Sequence, residues 1–176
     1  MYLDTAGGSP VSVEAGVLLG ANLEDPRRAV SKASELMGKL EGFRLVARSS
    51  MWETDPVGGP PGQDQYVNRA EIWLVPADPV HVVRELLGVE ARLGRIRLER
   101  WGPRVIDLDL LYLGGTVSRD GEATVPHPRL HERAFALYPL AEVRPGWIHP
   151  ELGRTVEDLI RQLPPEAGLG VRRIPD

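Results

Sequence analysis

The hydrophobic pattern of the chain changes period repeatedly, and each change predicts an element. Val13 to Leu19 is a short apolar-rich run that stops at Gly20-Ala21-Asn22, as a strand would. Asp25-Pro26 is a helix start, an N-cap carboxylate followed by proline at the first helical position. Ala29, Val30, Ala33, Leu36, Met37 and Leu40 then recur at helical spacing, and Gly42 is expected to end that helix. From Phe43 to Trp52 the period shortens to two, with Phe43, Leu45 and Ala47 alternating against Arg44, Val46 and Arg48. Glu53 to Gln65 carries three prolines and three glycines. A loop that long inside a compact domain is usually functional.

Tyr66 to Val75 predicts the next strand, and Asp78-Pro79 repeats the helix-start device. Val82, Val83, Leu86, Leu87 and Leu93 form the buried stripe of a helix ended by Gly94. Val105 to Leu113 (VIDLDLLYL) is the most strand-like run, ending at Gly114-Gly115. Further helices are expected around Glu132 to Glu142 and Thr155 to Leu163, with Arg144 to Pro150 irregular between them. Residues 1–12 lack periodicity and read as a flexible arm, which leaves 13–176 as one domain. The order βαββαβ, with its long loop inside a hairpin, predicts an α+β protein on the ferredoxin-like plan, with helices packed on a mostly antiparallel sheet.

Composition narrows the classes. At 176 residues, 42% hydrophobic and 26% charged, the chain is an ordinary globular domain long enough to bury a core. The net charge of −4 argues against a general nucleic-acid binder. There is no cysteine, which excludes disulfides and thiolate metal sites or nucleophiles. No apolar run approaches the ~18 residues of a membrane span, and no secretory leader pattern opens the chain, so a cytoplasmic protein without membrane partners is expected. The cations are unevenly chosen: only Lys32 and Lys39 are lysines, and Arg95, Arg97, Arg100 and Arg104 crowd one short segment.

That segment stands directly before Asp107-Leu108-Asp109. On a strand both aspartates share one face while Ile106, Leu108 and Leu110 take the other. Two carboxylates in an apolar strand require a cation, and hard oxygen ligands favour magnesium. Arginine is the fork-shaped partner of phosphate oxygens, so the pair and the cluster together suggest phosphoryl transfer. The plainer alternatives are a solvated edge strand, and arginines that merely neutralise Glu90, Glu99 and the aspartates. Glu90 itself falls on the buried stripe, as a helix-end group escaping to water or one that faces a ligand. Tyr66 and Asn68 share a strand face, which suits a flat heterocycle as well as a half-exposed sheet surface. His127 and His131 are four apart with Pro128 between, a poor zinc pair; His127 fits a phosphate contact better. No P-loop, GxGxxG or GxSxG occurs.

In order, Leu19-Gly20-Ala21-Asn22-Leu23, Thr54-Asp55-Pro56-Val57-Gly58, Gln65-Tyr66-Val67-Asn68, Arg100-Trp101-Gly102-Pro103-Arg104-Val105-Ile106-Asp107-Leu108-Asp109 and Val125-Pro126-His127-Pro128 resemble the 6-hydroxymethyl-7,8-dihydropterin pyrophosphokinases of folate synthesis. The resemblance spans about residues 13 to 143. It implies a three-layer αβα arrangement with a ferredoxin-like core and transfer of a pyrophosphoryl group from ATP to a pterin alcohol, releasing AMP. The partners it implies are small molecules, with no nucleic acid; oligomeric state is left open.

By that resemblance Asp107 and Asp109 would hold two magnesium ions between the ATP phosphates and the substrate oxygen. Tyr66 and Phe135 would sandwich the pterin ring, Asn68 would read its polar edge, and Thr54, Asp55 and Val57 would complete the pocket. Glu90, Arg97, Arg100, Trp101, His127 and Arg133 match ATP-contacting positions, with Leu110 and Thr124 near the adenine. Arg95 and Arg104 match catalytic loop arginines that close over the phosphates. The chain departs from the family at Ala21, where serine is common, at Pro128, which replaces what is sometimes an aromatic, and at Glu122, where some members carry arginine. An RNA-reading ferredoxin-like sheet and another magnesium-dependent transferase are the rival readings.

Overall fold

The computed structural model describes residues 11–58, 60–95 and 104–175. Strand β1 (Ser12–Ala21) leads to helix α1 (Pro26–Met37), then β2 (Arg44–Arg48), β3 (Trp52–Thr54) and β4 (Tyr66–Pro76). Helix α2 (Pro79–Arg92) and β5 (Asp107–Leu113) complete the βαββαβ core. Beyond it lie β6 (Ser118–Arg119), β7 (Thr124–Val125), α3 (Ala134–Val143), β8 (Ile148–His149), β9 (Arg154–Thr155), α4 (Val156–Gln162) and β10 (Val171–Arg173).

The helix starts form where the Asp-Pro pairs predict them. Asp25 accepts from the Arg28 amide at 3.1 Å, and Asp78 accepts from Val80 and His81 at 3.0 and 3.2 Å. Each cap satisfies amides that the first turn leaves unpaired, an effect of about 1 kcal/mol.

The main sheet runs β10-β3-β4-β1-β5, with β2 also pairing β4, and every pairing is antiparallel. Each βαβ half therefore brackets a strand of the other half, which is the ferredoxin-like order. Helices α1 and α2 cover one face through Leu19, Trp73, Val82, Leu86, Val89, Leu108 and Leu110. Helices α3 and α4 cover the other through Leu18, Ile72, Leu111, Tyr112, Leu137, Leu140 and Leu159. The result is the α+β, three-layer αβα arrangement expected. No helix among the described residues is long and apolar enough to cross a membrane.

Four local expectations need correction, and one strand lies outside all of them. Helix α1 ends at Met37 with Gly38 as its cap, because Lys39 and Leu40 bond three residues back to Leu36 and Met37; Gly42 (φ +77°) closes the next turn instead. The run from Phe43 to Trp52 is two strands: at Ser49 the side chain takes over the ladder, its hydroxyl accepting from the Ala70 amide at 3.0 Å. On α2, Leu87 is 38% exposed and Val89 takes its place on the buried face. The segment 144–150 is not wholly irregular, since β8 pairs with β9. Finally, β10 joins the main sheet through only three residues, too few to carry a period in the sequence.

Candidate active site

Strand β5 is the sheet's terminal strand, and its N-terminal end carries the paired carboxylates. Alternation sends Leu108 and Leu110 into the core beneath α2, while Asp107 and Asp109 project from the opposite face. Glu90, on the buried side of α2 and 2% exposed, accepts from the Leu108 amide at 2.7 Å. It thereby satisfies an N–H on the side of β5 where no other described strand pairs. Of the two readings open for Glu90, the ligand-facing one and the helix-end escape, burial removes the second.

Three guanidiniums meet these carboxylates. Arg95 bonds both Glu90 and Asp107, the latter at 2.6 Å. Arg104 pairs with the other oxygen of Asp107, and Arg133 reaches Asp109 at 3.2 Å. Glu90, Asp107 and Asp109 against Arg95, Arg104 and Arg133 leave the cluster formally neutral. The arginines therefore do neutralise the acids here. Compensation is incomplete at Asp109: burial of its carboxyl, then the neighbouring Asp107 charge, push it up to about 6. Burial also raises Glu90, only partly offset by the Leu108 amide and Arg95.

Among the described residues no group of three or more His, Cys, Asp or Glu side chains is placed to hold a metal ion. Two hard-oxygen donors on one strand face, one of them held above its ordinary range, nevertheless suit a magnesium ion that draws its remaining ligands from phosphate and water. The donor set and the unrelieved negative charge at Asp109 both fit that cation.

The strand residues expected at the pterin lie two and three strands away, on β4 and β3. Tyr66 opens β4 and is half-buried, its hydroxyl donating to Gln63 Oε1 at 3.4 Å. Asn68, two residues on, is 4% exposed and donates to the Thr54 hydroxyl on β3 at 2.7 Å. Room for this amide comes from Gly20 on β1, where a Cβ would stand 2.7 Å from Asn68 Oδ1. Phe135 sits in the first turn of α3, packs against the cluster that includes Ala70 and Ile72 of β4, and has the Arg133 guanidinium 5.5 Å from its ring centre. Asp55 is exposed and accepts from Gln65 at 2.7 Å; Val57 is 69% exposed.

His127 is fastened to β5 by its amide, which donates to the Leu111 carbonyl at 2.8 Å. Burial, with the Arg133 charge adding, lowers it to about 4, so it is neutral near pH 7. Its Nδ1 accepts from the Arg129 amide at 3.1 Å, which assigns the proton to Nε2 and makes that nitrogen a donor. Thr124 lies half-buried on β7, whereas Leu110 is a core side chain under α2. Arg97, Arg100 and Trp101 lie outside the described residues. Glu122 forms an exposed pair with Arg84 at 2.6 Å.

Sequence reasoning passed over two organising side chains. Asn22 at the end of β1 accepts from the Arg104 amide at 2.8 Å and donates to the Asp64 carbonyl at 3.2 Å, so one amide joins the segment before β5 to the long loop. Gln65 ties the far end of that loop to Asp55. Both stood in quoted motifs, Asn22 after Gly20-Ala21 and Gln65 before Tyr66, but neither motif carries a signal for the distant partner. A groove of about 410 Å³ between α1 and β2, bordered by Ser34, Arg44, Arg48 and Trp73, shares no residue with this site.

Comparison with known proteins converges on one family. Residues 16–145 match the family described as 7,8-dihydro-6-hydroxymethylpterin-pyrophosphokinase (HPPK). The 2-amino-4-hydroxy-6-hydroxymethyldihydropteridine pyrophosphokinase of Synechocystis sp. is 40% identical over 133 residues, covering 73% of this chain and 68% of the relative. The enzyme of that name from Pseudomonas aeruginosa is 36% identical over 159 residues, covering 90% of this chain and 95% of its own. The fold is similar to a Plasmodium falciparum HPPK-DHPS triple mutant solved with pteroate, at a TM-score of 0.71 and 12% identity; the match covers 96% of this chain but 48% of that one, so the chain spans about half of that longer protein. With most of its length matched, and with relatives of 32–40% identity all carrying that name, the chain belongs to the 7,8-dihydro-6-hydroxymethylpterin-pyrophosphokinase family.

Proposed function

We propose that the carboxylate and arginine cluster at the head of β5 is the ATP end of a pyrophosphokinase site, and that the Tyr66, Asn68 and Phe135 region is its pterin end. The reaction is pyrophosphoryl transfer to 6-hydroxymethyl-7,8-dihydropterin, the step in folate synthesis that gives the family its name. ATP is the donor in this reading, and residues 13–176 form the one catalytic unit. The observation that carries it is the meeting of Asp107 and Asp109 with Arg95, Arg104 and Arg133.

Asp107 and Asp109 would hold magnesium, two ions in this reading. When bound with ATP, magnesium supplies charge neutralisation on the phosphates and lowers the pKa of the attacking alcohol. Arg95, Arg104 and Arg133, released from the aspartates, then turn their forks to phosphate oxygens. His127 donates from Nε2, and Arg97, Arg100 and Trp101 add ATP contacts. The adenine would lie near Leu110 and Thr124; buried Leu110 can contribute there through its backbone. Glu90 keeps the Leu108 amide bonded and so holds the strand between the aspartates straight. Tyr66 and Phe135 stack the ring, Asn68 hydrogen-bonds its edge, and the backbone at Thr54, Asp55 and Val57 closes the slot. The substrate oxygen forms a bond to the β-phosphorus, the bond from that phosphorus to the α–β bridging oxygen breaks, AMP departs, and the hydroxyl proton passes to water.

The test is incubation with ATP, magnesium and the pterin alcohol, followed by chromatography of the nucleotide. AMP formed in equal amount with a pterin diphosphate is expected; ADP would identify a simple kinase and overturn the reading.

A further inference from the structure

The C-terminal segment lies beyond the family match, which ends at residue 145. It returns across the molecule to the sheet edge beside the proposed pterin slot. Strand β10 pairs with β3 so that Val171 stands opposite Thr54 and Arg173 opposite Trp52. The Asp55 amide donates to the Gly170 carbonyl at 3.2 Å, and the Ile174 amide donates to Met51 at 2.8 Å. Arg173 locks the far end, donating to the Ser50 hydroxyl at 2.8 Å and lying 3.6 Å from Glu142 of α3. The preceding turn rests on the same helix: a Cβ at Gly168 would stand 2.8 Å from the Tyr138 hydroxyl oxygen.

Gly170 is the tightest point. Its φ is +78°, a conformation that side-chain-bearing residues rarely adopt, and an added Cβ would stand 2.0 Å from Asp55 Oδ2. The other oxygen of that carboxylate accepts from Gln65 at 2.7 Å, immediately before Tyr66. Contact therefore runs from Gly170 to Asp55, across the base of the long loop to Gln65, and so to the start of β4. A side chain at 170 would drive the Asp55 carboxylate off its partner. On the opposite wall, Tyr138 and Glu142, which the same segment touches, belong to the helix whose first turn carries Phe135.

We infer that Gly170 is a positioning residue for pterin binding: with β10 it sets Asp55 and, through the Asp55–Gln65 bond, the entry of the slot. The inference rests on the reading that this slot takes the pterin.

The experiment measures equilibrium pterin binding by ligand fluorescence, and steady-state kinetics, in Gly170→Ala, Asp55→Ala and the double variant, with MgATP affinity and thermal melting alongside. Gly170→Ala is expected to weaken the pterin and raise its KM about tenfold, with MgATP affinity and kcat nearly unchanged. In the Asp55→Ala background the same substitution should cost several-fold less, since the carboxylate it displaces is gone and only the strain of the positive φ remains. Loss of pterin and MgATP affinity in equal measure would reduce Gly170 to a general stability role and overturn the inference. So would equal effects in both backgrounds, or no effect on the pterin. Tyr66→Ala and Asn68→Ala separate the two levels. If they lose the pterin while Gly170→Ala keeps it, the inference alone fails; if they too bind normally, the slot reading fails and takes the inference with it.

Discussion

Asp109 is the residue where folding and chemistry pull apart. Its carboxyl stays protonated up to about 6 in the native state, whereas an unfolded chain releases that proton near the ordinary value of about 3.9. The stability it contributes is complete below the unfolded value and is lost as the pH rises through 6, because the native state must then carry a poorly compensated charge. Without metal, Asp109→Asn should therefore melt above the wild type at about pH 7.5, with the difference closing toward pH 4, while all transfer is lost. Melting curves of both proteins across that range check it; a variant that melts lower at every pH would mean the carboxylate is a structural ion-pair partner. His127 has the opposite sign. Held down at about 4, it stays neutral while the unfolded imidazole takes a proton, so its contribution is lost as the pH falls through the interval from 6.5 to 4. His127→Gln should flatten the acid side of the stability profile, read by denaturant titration at several pH values; an unchanged slope would show that the histidine is not held neutral.

At the scale of elements, the end of α2 and the start of β5 present Arg95 and Arg104 to one carboxylate, Asp107. These guanidiniums occupy the place a cation would take, so in the proposed reading magnesium and arginine compete for the same oxygens. Arg104→Ala is expected to bind magnesium more tightly in the absence of nucleotide, measured by calorimetry. In single-turnover kinetics the same variant should lose tens- to hundreds-fold in rate, the effect of about 2–4 kcal/mol for one well-placed charge in a transition state. A loss of MgATP affinity by the same factor as the rate would instead make the arginine a ground-state clamp. Asn22 acts between elements as well, joining β1 to Arg104 and Asp64. Asn22→Ala removes both bonds and should lower stability by about 1–3 kcal/mol, since one partner is a backbone amide left unmet. Denaturant unfolding measures this, and a change near zero would mean that water replaces the amide at no cost.

At the scale of the whole molecule, the described carboxylates and arginines of the site pair off one for one. Nucleotide without magnesium brings phosphate charge to arginines that are already engaged, and magnesium without nucleotide finds too few ligands among the described residues. Each is expected to bind weakly alone and strongly together. ATP titrated in excess EDTA should give little heat, whereas MgATP at about a hundred times its Kd should stabilise the fold by about 2.7 kcal/mol. Equal affinity with and without magnesium would contradict this. The scaffold that allows the arrangement is the antiparallel sheet with helices on both faces, which brings the start of β5, the start of α3 and the β3–β4 hairpin to one side.

Much of this was legible in the chain itself, for physical reasons. The two Asp-Pro helix starts, the period-two runs and the alternation of DLDL are local: caps and side-chain direction depend on neighbouring residues, so they can be read without a fold. The face shared by Asp107 and Asp109, and the one shared by Tyr66 and Asn68, follow from strand geometry alone. What had no local cause could not be read. The break at Ser49 depends on its hydroxyl meeting Ala70 on another strand. The pairing of Arg95 with Glu90 and Asp107 depends on how α2 lies over β5. The role of Asn22 depends on two segments, 42 and 82 residues away, returning to one amide. Strand β10 is the clearest case: Val171–Arg173 is too short and too charged to announce a strand, and only the open edge of β3 makes it one. Local chemistry was determined by sequence; partnership between distant groups was decided by the tertiary fold, because the free energy of such contacts exists only once the chain has brought them together.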